Sequence, residues 1–186
     1  MKKLFSVLMC VALIAGLATG CGSSAPAEDV NEIVIGIGDE FNCIDPMETT
    51  AESNQIVQDC THDLLTDTNL ETMQNEGELV DSWEMIDLKT WKFTLKDNVT
   101  FHDGTILNVD DVIFTFERAA QHATTSSYAA KVESIEKIDD LTFIAHLAAG
   151  DVDFNYTFAA NQLSVFSKEA FETMPAEEAV KVGTGL

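Results

Sequence analysis

Alternating hydrophobicity from Trp91 to Leu95, followed by turn residues and then a helical pattern, constrains this fold more than any other feature of the sequence. Apolar residues at every second position are typical of a strand with one buried face. Asp97-Asn98 and Asp103-Gly104 are pairs that favour tight turns, and apolar residues alternate again between them. The pattern therefore predicts a strand, a turn, a second strand and another turn.

A helix is predicted directly after these turns. Asn108 is a favourable N-cap, and Asp110 and Asp111 place negative charge in the first turn, where the helix dipole favours it. The apolar residues at helical spacing on one face are Val109, Val112, Ile113, Phe116 and Ala120. This spacing indicates a helix that packs against the strands.

The stretch from residue 83 to residue 118 resembles the signature of bacterial extracellular solute-binding proteins of family 5, the peptide- and nickel-binding receptors of ABC importers. The matching residues are Trp83, Trp91 to Thr105 and Asn108 to Arg118. The resemblance implies an α+β fold of the type II periplasmic-binding-protein kind, in which two lobes close over a ligand. It also implies a peptide ligand, an ABC permease complex as partner, no cofactor and no enzymatic activity.

Residues 1–20 have the pattern of a signal peptide. Two lysines precede an apolar run that is too short to span a bilayer stably. Small residues before Cys21 resemble a bacterial lipoprotein signal, which implies lipid on Cys21, a tether over residues 21–31, and anchoring at the outer face of the cell membrane on the periplasmic side. The alternative is an ordinary secretory signal that is cleaved nearby.

The apolar run from Ile33 to Ile37 predicts a buried strand. The segment from Gly38 to Pro46 that follows resembles the ligand-contacting loop of the family. The resemblance implies that the ligand-binding residues are Glu40, Phe41, Asn42 and Cys43. A purely structural loop is the alternative, because a residue before proline is restricted to extended backbone whether or not a ligand binds.

The pattern of residues 51–65 predicts a helix, since no proline or glycine interrupts them and apolar residues recur at helical spacing. The expected apolar face consists of Ile56, Val57, Cys60, Leu64 and Leu65. Cys43 and Cys60 are expected to be buried reduced thiols, and a disulfide between them is the alternative in an oxidising compartment.

Neither cysteine nor histidine spacing predicts a metal site. The cysteines lack the paired spacing of zinc ligands. The four histidines, His62, His102, His122 and His146, are scattered, and no two of them are four residues apart. His62 and His102 are nevertheless the histidines to examine if the chain serves a nickel or metal-complex receptor.

The net charge of the chain excludes nucleic-acid binding. The chain has 10 lysines and arginines against 32 acidic residues, a formal net charge of −22, so binding to a nucleic-acid backbone is excluded. The acidic surface either steers cationic ligands or keeps a secreted protein soluble. No hydrolase motif or phosphate-binding glycine loop occurs in the sequence, so no catalytic residue is predicted.

The rest of the chain predicts a small α+β arrangement. A hairpin is predicted from two strands, Lys131–Ile138 and Leu141–Leu147, with its turn at Asp139-Asp140. Asp151–Ala160 and Lys168–Met174 are predicted helices, and Pro175 is suited to open a last short helix.

The resemblance also implies a domain plan. Residues 32–65 would supply the first strand, ligand loop and helix of lobe one, residues 66–181 an inserted α+β domain, and residues 182–186 the return to lobe one. Family members continue well beyond this point, so the expectation is an N-terminal fragment that binds ligand weakly or not at all. The alternatives for function are a surface lipoprotein that binds other proteins and a nickel or metal-complex receptor.

Overall fold

The computed structural model describes residues 33–185, and its central element is an antiparallel sheet. The predicted signal peptide over residues 1–20, the lipidated Cys21 and the tether over residues 21–31 lie outside the described residues. The strands are β1 (Thr66–Thr68), β2 (Asn75–Gly77), β3 (Val80–Asp87), β4 (Thr90–Leu95), β5 (Thr100–Phe101), β6 (Val132–Lys137), β7 (Thr142–Leu147) and β8 (Thr184–Gly185).

Five α-helices and three 3₁₀ helices accompany these strands within the described part of the chain. The α-helices are α1 (Glu52–Gln58), α2 (Val109–Ala119), α3 (Ser126–Ala129), α4 (Lys168–Thr173) and α5 (Ala176–Ala179). The 3₁₀ helices are Pro46–Glu48, Phe154–Ala159 and Asn161–Leu163. The mixture of helices and antiparallel strands confirms the predicted α+β class.

The four-stranded sheet has the order β3-β4-β7-β6, and every neighbouring pair is antiparallel. Phe93 of β4 lies opposite Phe143 of β7, which places their side chains on the same face. The predicted hairpin of β6 and β7 and the predicted strand β4 are therefore confirmed. Asn98 (φ 61°) and Gly104 (φ 87°) take the left-handed backbone that the turn pairs predicted.

The core lies on the inner face of this sheet. Its strand residues are the buried members of the alternating pattern: Trp91, Phe93, Leu95, Phe143, Ala145 and Leu147. Phe158 packs edge-on against Phe93, with ring centroids 4.9 Å apart, and Phe154 lies 5.0 Å from Phe158. Edge-to-face aromatic contacts of this kind add to the hydrophobic contribution of burial.

Helix α2 begins as its sequence predicts. The Oδ1 atom of Asn108 accepts a hydrogen bond from the backbone N–H of Asp110 (2.8 Å), and Oδ2 of Asp111 accepts one from the N–H of Asn108 (2.9 Å). This reciprocal pair is a capping box. Ala120, on the predicted apolar face, is the C-cap of α2 and is exposed, whereas Ala119 is buried.

The expected strand at Ile33–Ile37 is wrong for this structure. These residues have no strand assignment, and Ile33 and Val34 are 87% and 84% exposed. A buried strand needs a neighbouring strand to satisfy its backbone groups, and no strand of the described residues pairs with this run.

Two helical predictions also need correction. The helix expected over residues 51–65 ends at Gln58, and its buried residues are polar rather than apolar. The helix expected over 151–160 is a 3₁₀ helix, Phe154–Ala159. Helices α4 and α5 lie within the predicted segments, and α5 follows Pro175 as expected. Within residues 33–185, no helix has the length and apolarity that a membrane span needs.

Candidate functional site

The four residues predicted to contact ligand lie in an irregular loop between Gly38 and the 3₁₀ helix Pro46–Glu48. Glu40, Phe41 and Asn42 are exposed, and Cys43 is half-buried. Phe41 is 39% exposed although its side chain is apolar. We call residues 38–45 the candidate loop.

Asn54 of α1 holds this loop. Its Oδ1 atom accepts hydrogen bonds from the backbone N–H groups of Asn42 (3.0 Å) and Cys43 (3.4 Å). Its Nδ2 group donates to Oδ1 of Asn42 (3.0 Å) and to Oγ1 of Thr49 (3.1 Å). Because Asn54 is only 1% exposed, these bonds replace the water that its amide loses on burial.

Gln58, one helical turn further along α1, also contacts the candidate loop. Its Nε2 group donates to the backbone carbonyl of Cys43 (3.2 Å), and its side chain is fully buried. Within the described residues its Oε1 atom has no hydrogen-bond partner. The buried face of α1 is therefore a polar support for the candidate loop, which explains why the predicted apolar face was wrong.

A buried ion pair fixes the end of the loop. Oδ1 of Asp45 accepts hydrogen bonds from the N–H of Met47 (2.9 Å) and from Nη1 of Arg118 (3.1 Å), and Oδ2 of Asp45 pairs with Nη2 of Arg118. The guanidinium of Arg118 also lies over the rings of Phe166 (4.7 Å) and Phe171 (5.1 Å). This bidentate pair joins the loop to the C-terminal end of α2.

The two cysteines have different environments. Cys43 donates from its thiol to the backbone carbonyl of Asp45 (3.5 Å), and burial is the main cause that raises the pKa of this thiol. Cys60 is exposed, so the expectation that both thiols are buried is wrong. Both cysteines are free thiols in the structure, so the expected reduced state is found rather than the alternative disulfide.

A second polar cluster lies where α1 gives way to β1. Oε2 of Glu78 accepts a hydrogen bond from the N–H of Leu64 (2.7 Å). Burial first, and then the nearby carboxylates of Asp63 and Asp67, raise the pKa of Glu78 to about 7. Burial also raises the pKa of Asp59. The backbone at this junction therefore depends on a carboxyl group that titrates near neutral pH.

His62 belongs to the same junction as a structural residue. Its Nε2 atom lies 2.9 Å from the backbone carbonyl of Val180, and its ring packs edge-on against Phe166. Burial lowers the pKa of His62, which favours the neutral ring. Across residues 33–185, no group of three or more histidine, cysteine, aspartate or glutamate side chains is placed to share a metal ion.

Sequence reasoning missed Asn54, Gln58 and the role of Arg118. The available signal was the spacing of Asn54 and Gln58, which places two amides on one face of a helix. Amides on a buried face indicate a hydrogen-bonded partner, because an unpaired buried amide is costly. The sequence could not identify that partner as the candidate loop.

We expect Asn54→Ala to lower the free energy of unfolding by about 1–3 kcal/mol, because the partly buried N–H groups of Asn42 and Cys43 lose their acceptor. Urea denaturation followed by circular dichroism measures this change. The matched control is Glu52→Gln on the exposed side of α1, which should change the free energy by less than about 0.5 kcal/mol. Equal effects of the two substitutions would contradict the supporting role of Asn54.

We expect Glu78→Gln to remove a pH dependence of stability. The folded protein keeps the Glu78 proton up to a pKa of about 7, whereas the unfolded chain releases it near 4.5, so stability falls as pH rises between these values. Glutamine still accepts from Leu64 but does not ionise. The free energy of unfolding of the variant should exceed that of the parent by about 1–2 kcal/mol at about pH 8, after allowance for partial exposure of Glu78. The difference should be much smaller at about pH 5.

Urea denaturation of both proteins at the two pH values measures this difference. Glu71→Gln is the control, because Glu71 is exposed and lies in the connection between β1 and β2. A constant difference between Glu78→Gln and the parent at both pH values would rule out the proposed titration.

A family model described as "Bacterial extracellular solute-binding proteins, family 5 Middle" matches residues 74–185. The match includes the four-stranded sheet and α2, and the candidate loop lies before it. The solved structure of the ABC transporter-associated periplasmic binding protein DppA from Helicobacter pylori, in complex with the peptide STSA, has a similar fold. Its TM-score is 0.69 at 23% identity, over 78% of this chain and 34% of that one.

Curated relatives carry related names. The probable ABC transporter periplasmic-binding protein SapA of Escherichia coli (strain K12) is 28% identical over 218 residues, which cover 100% of this chain and 40% of that protein. The periplasmic oligopeptide-binding protein OppA of Salmonella typhimurium is 31% identical over 148 residues, 75% of this chain and 26% of that protein. The chain thus spans less than half the length of these relatives. Because the family model matches more than half of the chain, this protein belongs to the bacterial extracellular solute-binding proteins of family 5.

Proposed function

We propose that this chain supplies part of the ligand-binding cleft of a receptor that captures peptides outside the cytoplasm for an ABC importer. The family match and the relatives' names support the class of protein. The observation that carries the proposal is the fixed, exposed candidate loop, whose backbone is held at Asn42 and Cys43 by a buried side chain. A permease complex would be the partner that receives the peptide.

The candidate loop suits a peptide ligand on physical grounds. Its side chains offer the carboxylate of Glu40, the ring of Phe41 and the amide of Asn42 at the surface, and all three are exposed. A loop that is already fixed loses little conformational entropy when it binds. The carboxylate of Glu40 would attract the ammonium group at the amino terminus of a peptide, as would the acidic chain as a whole.

We further propose that the chain binds without catalysing a reaction. Cys43 carries the one thiol among the predicted ligand residues, and burial raises its pKa, which favours the protonated form. A protonated thiol is a poor nucleophile. This environment favours a binding role for Cys43.

The same family supports a proposed location and a proposed domain plan. The relatives are named as periplasmic proteins, which supports an extracytoplasmic location. We propose that residues 1–20 direct export, that lipid on Cys21 anchors the protein to the outer face of the membrane, and that residues 66–181 form the inserted domain of lobe one. Residues 32–65 and 182–186 would then belong to lobe one itself.

The test of this proposal is a titration of the ¹⁵N-labelled protein with a tripeptide, followed by NMR. NMR detects weak as well as tight binding. We expect saturable shifts of the amide signals from Gly38 to Cys43, and a weaker effect when the amino terminus of the tripeptide is acetylated, because the ammonium partner of Glu40 is then lost.

Two variants separate specific binding from a general charge effect. Glu40→Gln should weaken the response to the free tripeptide and leave the response to the acetylated one unchanged. Glu71→Gln, which removes one exposed charge elsewhere, should change neither. An absence of shifts in the candidate loop at millimolar peptide, or shifts that lie elsewhere, would contradict the proposal.

A further inference from the structure

An apolar groove lies between α2 and β6, away from the candidate loop. It has a volume of about 380 Å³. Its apolar walls are formed by Ile113 and Phe116 of α2 and by Val132 and Ile135 of β6. Ile113, Val132 and Ile135 are only partly buried, so the groove presents apolar surface to solvent.

The geometry of β6 creates this groove. Val132 and Ile135 are three residues apart, so a regular strand would point them to opposite faces. A register irregularity between Val132 and Ser134 changes that, and Val132 lies opposite Leu147 while Ile135 lies opposite Ala145. Because Leu147 and Ala145 both face the core, both β6 residues lie at the edge of the inner face.

The backbone of β6 is available along the same side. The sheet order places β6 at an edge, and within residues 33–185 its strand partner is β7 alone. An edge strand carries unpaired N–H and C=O groups that can pair with another extended chain. The groove and the free edge of β6 together form a surface suited to an added strand.

The charges at this surface select the partner. Glu117 of α2 and Glu133 of β6 line the groove and are exposed, and neither takes part in an ion pair among the described residues. The lysine just before β6 and the lysine at its last position are engaged elsewhere, since Lys131 pairs with Asp151 and Lys137 with Asp110. A segment that brings positive charge to the rim of the groove would therefore find unpaired carboxylates.

We propose that this groove binds an extended segment of another protein, in which the side chains on one strand face are apolar in the middle and lysine or arginine at the two ends. The segment would add as a fifth strand along β6. Its apolar side chains would pack between Ile113 and Ile135, and its basic side chains would pair with Glu117 and Glu133. The surface is separate from the candidate loop, so this inference does not depend on the proposed ligand.

The test uses the ¹⁵N-labelled chain and two capped peptides with valine at the central positions of one strand face and threonine on the other face. The lysine peptide has lysine at both ends of the valine face, and the glutamate peptide has glutamate there. We expect the lysine peptide to shift the amide signals of β6 and α2 saturably, and the glutamate peptide to bind at least about tenfold more weakly. Equal affinities, or shifts outside β6 and α2, would overturn the proposal.

Charge reversal provides the matched variants. The double substitution Glu117→Lys with Glu133→Lys should reverse the preference in favour of the glutamate peptide. The control, Glu84→Lys with Glu177→Lys, changes the net charge equally at exposed positions on β3 and α5 and should keep the original preference. Circular dichroism checks that both variants fold. If the control variant also reversed the peptide preference, net charge alone would govern binding. That result would refute the proposed binding of the peptide in the groove.

Discussion

The buried pair between Asp45 and Arg118 is the interaction on which the candidate site depends. Their side chains are 7% and 13% exposed, so neither charge keeps its hydration shell. Burial of charges is tolerated only where each group has close partners. Here the carboxylate has three donor groups, and the guanidinium also lies over two aromatic rings. The pair therefore ties the end of the candidate loop to α2 and to the segment that contains Phe166.

The second support is the amide pair on α1. Asn54 and Gln58 occupy a face that an ordinary surface helix would fill with apolar residues. Hydrophobic burial there would have held the helix but left the loop backbone unpaired. Amides on this face instead fix the loop at Asn42 and Cys43, and they leave the neighbouring side chains of Glu40 and Phe41 exposed. The structure thus exchanges some apolar burial for a fixed loop conformation.

Local periodicity predicted the elements in which one face is clearly apolar. The alternation at Trp91–Leu95 gave the correct strand, and the cap at Asn108 gave the correct start of α2, because both depend on nearby residues. The buried face of α1 and the role of Arg118 depend on contacts with residues distant in the chain, which a periodic pattern does not encode. The expected strand at Ile33–Ile37 failed for the same reason, since a strand depends on its neighbour. The ligand contacts of Glu40 to Cys43 and the domain plan stay predictions.

Hydrogen exchange at the backbone amides of Asn42 and Cys43 tests the central claim most directly, because Asn54 accepts from both. If the candidate loop is a fixed element of the folded core, both amides should exchange far more slowly than the same residues in an unstructured peptide, and nearer to the amides of α2. Exchange at the rate of an unstructured peptide, while α2 stays protected, would show that the loop opens independently and would contradict the account.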